Sequence, residues 1–251
     1  MVFPLYDDNT DRTTIPYVNY ALIAINILVF VLLQQLGTND QFTYSFSTVP
    51  LEITTGNDIV TAGRVVEYAG QRILIPGLGH TPVSVYLTLL TSMFMHGGFA
   101  HILGNMLFLW IFGDNIEDRL GHIRYLSFYV ICGLIASLAH VFTTTLMATD
   151  QSSLLVPSLG ASGAISGVLG GYLLLHPHRR VTVILFRFLT QVPAYVAIGI
   201  WFAFQLISGL GVFGEGSQQG GVAYAAHIGG FIAGLVLIKF FDRGRSQQPA
   251  Y

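Results

Sequence analysis

Apolar stretches alternate with short polar stretches along most of the chain, and their lengths predict helices that cross a membrane. About 20 mainly apolar residues are needed for one helix to cross the hydrocarbon core. Six helices are predicted, at residues 17–36, 99–115, 125–146, 162–176, 191–210 and 222–241. Residues 83–95 form an apolar lead-in, and residues 181–190 are expected to lie at the membrane interface. The pattern therefore predicts an all-α, polytopic membrane protein built as a six-helix bundle.

Polar stretches divide the chain into three parts. These are an N-terminal tail, a membrane domain and a C-terminal tail, at residues 1–16, 17–241 and 242–251. Inside the membrane domain, residues 37–82 mix charged and turn-forming residues, and such a segment cannot lie in lipid with unsatisfied backbone groups. We therefore expect a long first outer loop with some structure of its own, including a small hairpin at residues 65–75.

Composition excludes an ordinary soluble protein. Of the 251 residues, 53% are hydrophobic and only 10% are charged, and the mean hydropathy is +0.63. A net charge of −2 offers no basic surface, so nucleic acid is not an expected partner, whereas the lipid bilayer is. The single cysteine, Cys132, excludes an internal disulfide.

Basic residues predict the orientation, because they favour the cytoplasmic side of a membrane. With six helices both termini share one side, and most of the basic residues fall there: Arg12, Arg119, Arg124, Arg179, Arg180, Arg187, Lys239, Arg243 and Arg245. Only Arg64 and Arg72 fall on the other side. Both tails are therefore expected to be cytoplasmic, and the loops at residues 37–98, 148–160 and 209–221 to face outward. A compact six-helix chain without a seventh span or transit peptide favours a prokaryotic inner membrane.

Small residues recur at every fourth position in two of the predicted helices, which places them on one face of each helix. They are Gly163, Gly167 and Gly171 in the fourth helix, and Ala226, Gly230 and Gly234 in the sixth. Such faces let two helix backbones approach closely. Ser162 directly precedes the first stripe and His227 directly follows Ala226 of the second, so packing of the two stripes would bring a hydroxyl next to a base.

The polar residues near the outer end of the helices are candidates for chemistry. A serine in a membrane helix usually bonds to its own preceding turn, as Ser166 is expected to do. Ser162 differs because it begins a helix, and His227 differs because an ionisable group inside a membrane is costly. His101 and Asn105 are four residues apart and share a helix face from which they can donate hydrogen bonds to an oxyanion. Alternatively, the two side chains have a structural role and form hydrogen bonds between helices.

A helix rises about 1.5 Å per residue, so the stretch from Ser162 to His176 spans roughly 20 Å of a core about 30 Å thick. Ser162 is then expected on the order of 10 Å below the outer boundary. A nucleophile at that depth suits a substrate that is itself in the membrane.

Metal binding is the rival reading for the histidines. It is disfavoured because no carboxylate or cysteine accompanies them near the outer end, and no helical His-Glu pair of the metalloprotease type occurs. No metal or other cofactor is therefore expected. No Asp or Glu falls where it would orient His227, so the chemistry predicted is that of a Ser-His dyad, with the histidine held by packing or by another polar group.

Four short stretches, taken in chain order, resemble the rhomboid family of intramembrane serine proteases. They are His96-Gly-Gly-Phe-Ala-His101-Ile-Leu-Gly-Asn105, Glu117 with Gly121 and Tyr125, Gly160-Ala-Ser162-Gly163, and Ala226-His227 with Gly230 and Gly234. The likeness extends over about residues 83–241. It implies a serine endopeptidase that hydrolyses peptide bonds of membrane-spanning proteins near the outer face of the membrane.

The resemblance also implies a role for each matching residue. Ser162 is the implied nucleophile and His227 the general base, while His101, Asn105 and the backbone N–H of Ser162 form the oxyanion hole. Structural support is expected from His96, Glu117, Gly121, Gly163, Gly230 and Gly234. The resemblance further implies that substrates pass the fifth helix and its following loop, here Trp201, Phe202 and residues 209–221.

The chain departs from the family pattern at two places. Leu87 and Thr88 occupy the positions of a Trp-Arg pair that many relatives carry in the first loop. Ser166 stands where some members have an aromatic residue that stacks on the histidine, so His227 must be braced differently.

Two other classes of function fit parts of the sequence. A catalytically silent rhomboid-like protein would bind membrane clients without cleaving them, although the presence of both Ser162 and His227 argues against it. A small transporter or channel would also have several spans with intramembrane polar residues. The apolar character of the inner halves of the helices disfavours this last reading.

Overall fold

The computed structural model describes residues 2–68, 71–185, 188–209 and 224–242. The helices in these ranges, numbered α1 to α10, are Tyr17–Leu28, Asp40–Ser45, Pro50–Thr55, Thr88–Thr91, Phe99–Leu120, His122–Met147, Gln151–Leu154, Ser162–Leu175, Ala194–Gly209 and Tyr224–Phe241. The strands, β1 to β5, are Val2–Asp7, Arg64–Tyr68, Gln71–Ile75, Arg180–Leu185 and Phe188–Pro193. The outer loop predicted at residues 209–221 and the tail after residue 242 lie almost entirely outside the described residues.

Three described helices, α5, α6 and α10, are long and apolar enough to cross a membrane. Helices α8 and α9 are apolar but shorter, as is the Tyr17–Leu33 segment, in which α1 continues as a π-helical turn. The first predicted span ends early because Gln35 and Leu36 adopt positive φ angles of 50° and 61°, which a helix does not tolerate. A mostly helical membrane fold is therefore present, with three helices of spanning length in the described part.

The predicted helical membrane fold is present as a mostly helical one, and a three-stranded antiparallel sheet, which an all-α fold would not contain, accompanies the helices. Its strand order is β1-β4-β5, with Val2 opposite Leu185 and Arg180 opposite Pro193. The residues expected to be a polar tail thus include a paired strand, and the segment expected at the interface is a hairpin. Alternate β-branched residues of β4, Val181 and Val183, are fully buried against the helices, which explains why this segment pairs as a strand.

The segment between α1 and α5 contains short elements. Helices α2 and α3 are followed by the β2–β3 hairpin, in which Arg64 pairs with Ile75 and Tyr68 with Gln71, so the hairpin predicted at residues 65–75 is confirmed. The apolar lead-in to α5 is a series of short helical turns over residues 85–94. Thr48 pairs with Ser158 through two backbone hydrogen bonds of 3.0 and 2.8 Å, which tie this segment to the loop before Ser162.

The two stripes of small residues pack against each other, so that α8 and α10 are in close backbone contact. A Cβ atom at Gly230 would overlap the carbonyl oxygen of Gly163, and one at Gly234 would overlap that of Gly167. Only glycine permits this approach. It positions the first turn of α8 beside the first turn of α10, where Ser162 and His227 lie.

Candidate active site

Ser162 is the first residue of α8 and follows a turn that requires glycine. Gly160 has a φ of 122°, and its N–H donates to the carbonyl oxygen of Ser92 at 2.8 Å. The turn directs the chain from the loop into α8, and the first N–H groups of a helix have no partner within the helix. Ser162 is thus held at a helix start, as the sequence predicted.

Ser162 and His227 are in direct contact, which the packing of α8 against α10 makes possible. The Oγ of Ser162 lies 2.8 Å from Nε2 of His227, a normal hydrogen-bond distance. In the arrangement that leads to chemistry, the hydroxyl donates and Nε2 accepts. The imidazole is then in position to remove the proton from the hydroxyl.

Gln205 holds the other nitrogen of the imidazole, and sequence reasoning missed it. Its Oε1 lies 2.8 Å from Nδ1 of His227, and its side chain is buried on α9. The signal available in the sequence was a lone amide in an otherwise apolar helix, four residues after Trp201. The sequence predicts that packing or another polar group holds His227, and the Gln205 amide is such a group.

His101 and Asn105, four residues apart on α5, both lie in the site region. The Gly97 N–H donates to Nδ1 of His101 at 3.3 Å, which leaves the ring proton of the neutral histidine on Nε2. A Cβ at Gly160 would meet that Nε2 at 2.7 Å and the Oγ of Ser162 at 3.6 Å, so the ring lies beside Ser162. The Nδ2 of Asn105 is buried and has no hydrogen-bond partner. Both side chains can donate a hydrogen bond to an anion there.

His96 lies behind this pair and is 1% exposed. Its backbone, rather than its ring, makes the hydrogen bonds: Gln34 Oε1 accepts from the N–H at 2.9 Å, and Gln34 Nε2 donates to the carbonyl at 2.8 Å. The ring packs edge-on against His101, with centroids 5.1 Å apart. This packing limits the rotation of the His101 ring.

Ser166 bonds to its own helix, as predicted. Its Oγ donates to the carbonyl oxygen of Ser162 at 2.6 Å, and the residue is fully buried. It does not reach His227, whose ring instead lies 6.2 Å from the ring of Trp201 on α9. The contacts that hold the His227 ring thus come from α9.

A cavity of about 20 Å³ adjoins Ser162. Its polar lining includes the side chains of Ser92, Ser137 and Ser158. A volume of this size with polar walls has room for one water molecule. Within the described residues, no three His, Cys, Asp or Glu side chains are grouped as metal ligands would be.

Glu117 and Gly121 lie at the C-terminal end of α5, whereas His101 and Asn105, the α5 residues near Ser162, lie at its N-terminal end. The fully buried carboxylate of Glu117 accepts the N–H groups of Val18 at 2.9 Å and Asn19 at 2.7 Å, and so caps the start of α1. Gly121, with a φ of 78°, makes the turn between α5 and α6. Neither residue can touch a substrate bound at Ser162.

The two positions of the missing Trp-Arg pair have different environments. Leu87 is exposed, whereas Thr88 is fully buried and its Oγ1 donates to the carbonyl oxygen of Val85 at 2.5 Å. The carbonyl of Thr88 accepts from Oγ1 of Thr48 at 2.9 Å. Thr88 thus bonds to Val85 through its side chain and to Thr48 through its backbone carbonyl.

Comparison with known proteins identifies the class. The rhomboid domain model matches residues 84–243, a range that includes Ser162, His227, Gln205, His101 and Asn105. The chain belongs to the rhomboid family, a family of membrane proteins.

Curated relatives agree with this assignment. Rhomboid protein 1, mitochondrial, of Saccharomyces cerevisiae is 33% identical over 166 residues, which are 66% of this chain and 45% of the relative. Presenilin-associated rhomboid-like protein A, mitochondrial, of Danio rerio is 30% identical over 195 residues, 72% of this chain and 49% of the relative. Rhomboid protease GluP of Bacillus subtilis is 28% identical over 223 residues, 88% of this chain and 34% of the relative. The chain spans about half the length of these relatives or less.

The names of the relatives indicate the membranes in which similar proteins are found. Two of the three are mitochondrial proteins and one is bacterial. An integral membrane location is supported by the family and by the apolar helices. The prokaryotic inner membrane expected from the sequence is not favoured by these relatives.

Proposed function

We propose that this protein is an intramembrane serine endopeptidase that uses a Ser162–His227 dyad to cleave membrane-spanning proteins. The observation that carries the proposal is the 2.8 Å contact between Oγ and Nε2, in a chain of the rhomboid family. A serine protease of this family, GluP, is among the relatives. The chemistry needs a hydroxyl, a neutral imidazole and donors for an oxyanion, and the described residues supply all three.

In the proposed reaction, Oγ of Ser162 attacks the carbonyl carbon of the substrate while its proton moves to Nε2 of His227. The carbonyl electron pair moves onto oxygen. Collapse of this intermediate breaks the C–N bond, and the leaving amine takes the proton from His227. Water then attacks the ester and gives its proton to His227; the C–Oγ bond breaks, and Ser162 recovers its hydrogen.

The oxyanion is proposed to be bound by His101 Nε2–H, by the amide of Asn105 and by the backbone N–H of Ser162. The unpartnered Nδ2 of Asn105 supports this role, because a buried donor without a partner is costly unless a ligand uses it. His96 is proposed to support the site by packing on His101. Gly163, Gly230 and Gly234 are proposed to support it through the α8–α10 contact.

We further propose that α1, α8 and α9 cross the membrane together with α5, α6 and α10, and that both termini are cytoplasmic. Substrates would be single-span or polytopic membrane proteins cleaved near the outer face. Labelling of single cysteines in a Cys132→Ala background with a membrane-impermeant reagent tests the topology. Reaction at residue 57 but not at residue 10 from the outer side is the expected result, and the reverse pattern overturns the orientation.

The test of the activity is cleavage of a single-span model substrate by purified protein in liposomes. Ser162→Ala is expected to lower the rate at least about 10³-fold, because no nucleophile remains. The matched control is Ser166→Ala, on the next turn of the same helix, which is expected to stay within about threefold of the wild type. Cleavage that persists in Ser162→Ala refutes the proposal.

A fluorophosphonate separates the silent client-binding alternative from the protease. It reacts with an activated serine whether or not the right substrate is present. Labelling that is present in the wild type and absent in Ser162→Ala supports the protease. Wild-type protein that neither labels nor cleaves supports a protein that only binds its clients.

A further inference from the structure

We propose that Gln205 is a positioning residue that holds His227 in the tautomer needed for general-base catalysis. This inference rests on the proposed function and assigns a third member to the site. The residue acts through the histidine and does not touch the reacting atoms. It takes the place that an Asp or Glu occupies in a serine protease triad.

The contact from Gln205 fixes the proton on the imidazole. A carbonyl oxygen can only accept a hydrogen bond, so Oε1 at 2.8 Å requires a hydrogen on Nδ1. In the neutral ring Nε2 then carries a lone pair, and this nitrogen lies 2.8 Å from Oγ of Ser162. The opposite tautomer would place a proton between Nε2 and the serine, and the ring could no longer accept the hydroxyl proton. The geometry therefore favours the productive tautomer before substrate arrives.

The surroundings make this hydrogen bond strong and well oriented. Gln205 is 7% exposed, so water competes little for its oxygen. Trp201 lies one turn earlier on α9, and its ring is 6.2 Å from that of His227 and 6.3 Å from that of Phe231. One face of α9 thus supplies both the ring contact and the hydrogen bond to His227.

The other titratable groups around His227 do not accept a hydrogen bond from its Nδ1. They are His101, His140 and Tyr224, whose ring centroid lies 6.5 Å from that of His227. None of them is a carboxylate, so in the described part of the chain the accepting partner of Nδ1 is the neutral amide of Gln205. A neutral acceptor stabilises the imidazolium less than a carboxylate would. A carboxylate variant should therefore stabilise the imidazolium measurably more than the wild type does.

Two substitutions at this position separate hydrogen bonding from packing. Gln205→Met keeps the length and approximate volume of the side chain but removes the acceptor. Gln205→Glu keeps an acceptor and adds a charge. Leu206→Met, on the neighbouring and exposed position of α9, controls for the introduction of methionine. Each variant is assayed for cleavage in liposomes and for the rate of fluorophosphonate labelling across pH 5 to 9.

Gln205→Met is expected to lower kcat/KM and the labelling rate roughly 10- to 100-fold, mostly in kcat, with thermal unfolding near that of the wild type. Gln205→Glu is expected to retain activity and to move the acid limb of the pH–rate profile to higher pH, because a carboxylate stabilises the imidazolium. A purely structural role would lower activity without moving that limb.

The outcomes distinguish this inference from the proposed function. The positioning role is overturned if the wild type is active, Gln205→Met has a rate within threefold of it, and the pH–rate profiles of Gln205→Met and Gln205→Glu match that of the wild type. This result leaves the dyad intact. Activity that persists in Ser162→Ala overturns the dyad itself. If Gln205→Met fails to fold, Gln205→Glu still decides through the position of its acid limb.

Discussion

The two ends of the helix bundle are built in opposite ways. At the Ser162 end, the site contains few hydrogen bonds, and the Nδ2 of Asn105 has no partner. At the other end, Asp7 Oδ2 accepts from the hydroxyl of Tyr172 at 2.5 Å and from Asn115 Nδ2 at 2.8 Å. Arg179 bonds to Asn115 as well.

The N-terminal segment extends this network. Arg12 pairs with Asp114 at 2.5 Å, and Asp118 accepts from the N–H of Thr14 at 2.7 Å. One end thus joins many of its polar groups in a hydrogen-bond network, whereas the other leaves the Asn105 donor for a ligand. The difference teaches that the polar hydrogen-bond network and the candidate chemistry lie at separate ends of the same helices. Substitutions at each end should therefore affect different measurements.

The largest effect on stability is expected where glycine residues let α8 pack closely against α10. Gly230→Val would force a side chain into the carbonyl oxygen of Gly163, so α8 and α10 must separate. We expect a loss of about 4 kcal/mol or more, or failure to fold, measured by thermal unfolding in detergent. Gly104→Ala on α5 is the control, because a Cβ there meets no atom within 4 Å. Equal stability of the two variants would contradict the packing described here.

The next effect is confined to the Ser162 end. Asn105→Ala removes a donor that has no partner in the resting protein, so activity should fall while stability hardly changes. We expect a loss on the order of 100-fold in kcat, close to the value for one oxyanion-hole donor. Unfolding temperature and kcat are measured on the same preparation. A large loss of stability with unchanged kcat would assign Asn105 to structure.

The opposite result is expected for Glu117→Gln. The amide cannot accept both backbone N–H groups that the buried carboxylate now accepts at the start of α1. We expect a loss of about 2 kcal/mol in the free energy of unfolding, with kcat of the remaining folded protein little changed. Asp11→Asn is the comparison, because the Asp11 side chain is 70% exposed in its pair with Arg179, and such a pair should contribute less than about 1 kcal/mol. Similar losses in both variants would argue against the capping role.

The smallest effect is a pH dependence at Asp7. Burial raises the pKa of this carboxyl to about 7, against the opposing hydrogen bond from Tyr172, while Asp114 raises it and Arg179 lowers it. Its Oδ1 is buried without a partner, so a proton there costs no hydrogen bond. The folded state binds this proton more tightly than the unfolded state. The stabilisation is therefore complete below about pH 4 and is lost as pH rises through about 7.

This dependence is tested with Asp7→Asn. The wild type should lose on the order of 2 kcal/mol between pH 5 and pH 8, and the variant much less, because it cannot ionise. Asp8→Asn is the matched control, since Asp8 is exposed and its pKa is lowered by the hydroxyl and N–H of Thr10. A wild type that is equally stable at both values of pH would contradict the buried carboxyl.

Most of the site was predictable because its residues follow local rules. Gly163, Gly230 and Gly234 recur at helical spacing, and Ser162 and His227 lie at the ends of those stripes. The strand β4 also carried a local signal, since its β-branched residues are typical of a strand, but its partner β1 lies about 180 residues away in the chain. Nothing in a short window shows that pairing. Local sequence rules therefore predict a tail at the N-terminus, where the structure has a paired strand.

The sequence by itself determined which segments are helical and apolar, where small residues allow close packing, and which serine and histidine share an end of the bundle. These properties depend on spacing along a single helix. Only the tertiary structure decided that β1 pairs with β4, that Asp7 is buried against Tyr172, and that Gln205 reaches Nδ1 of His227. Those contacts join residues distant in the chain, so they depend on how the helices pack and not on any local pattern.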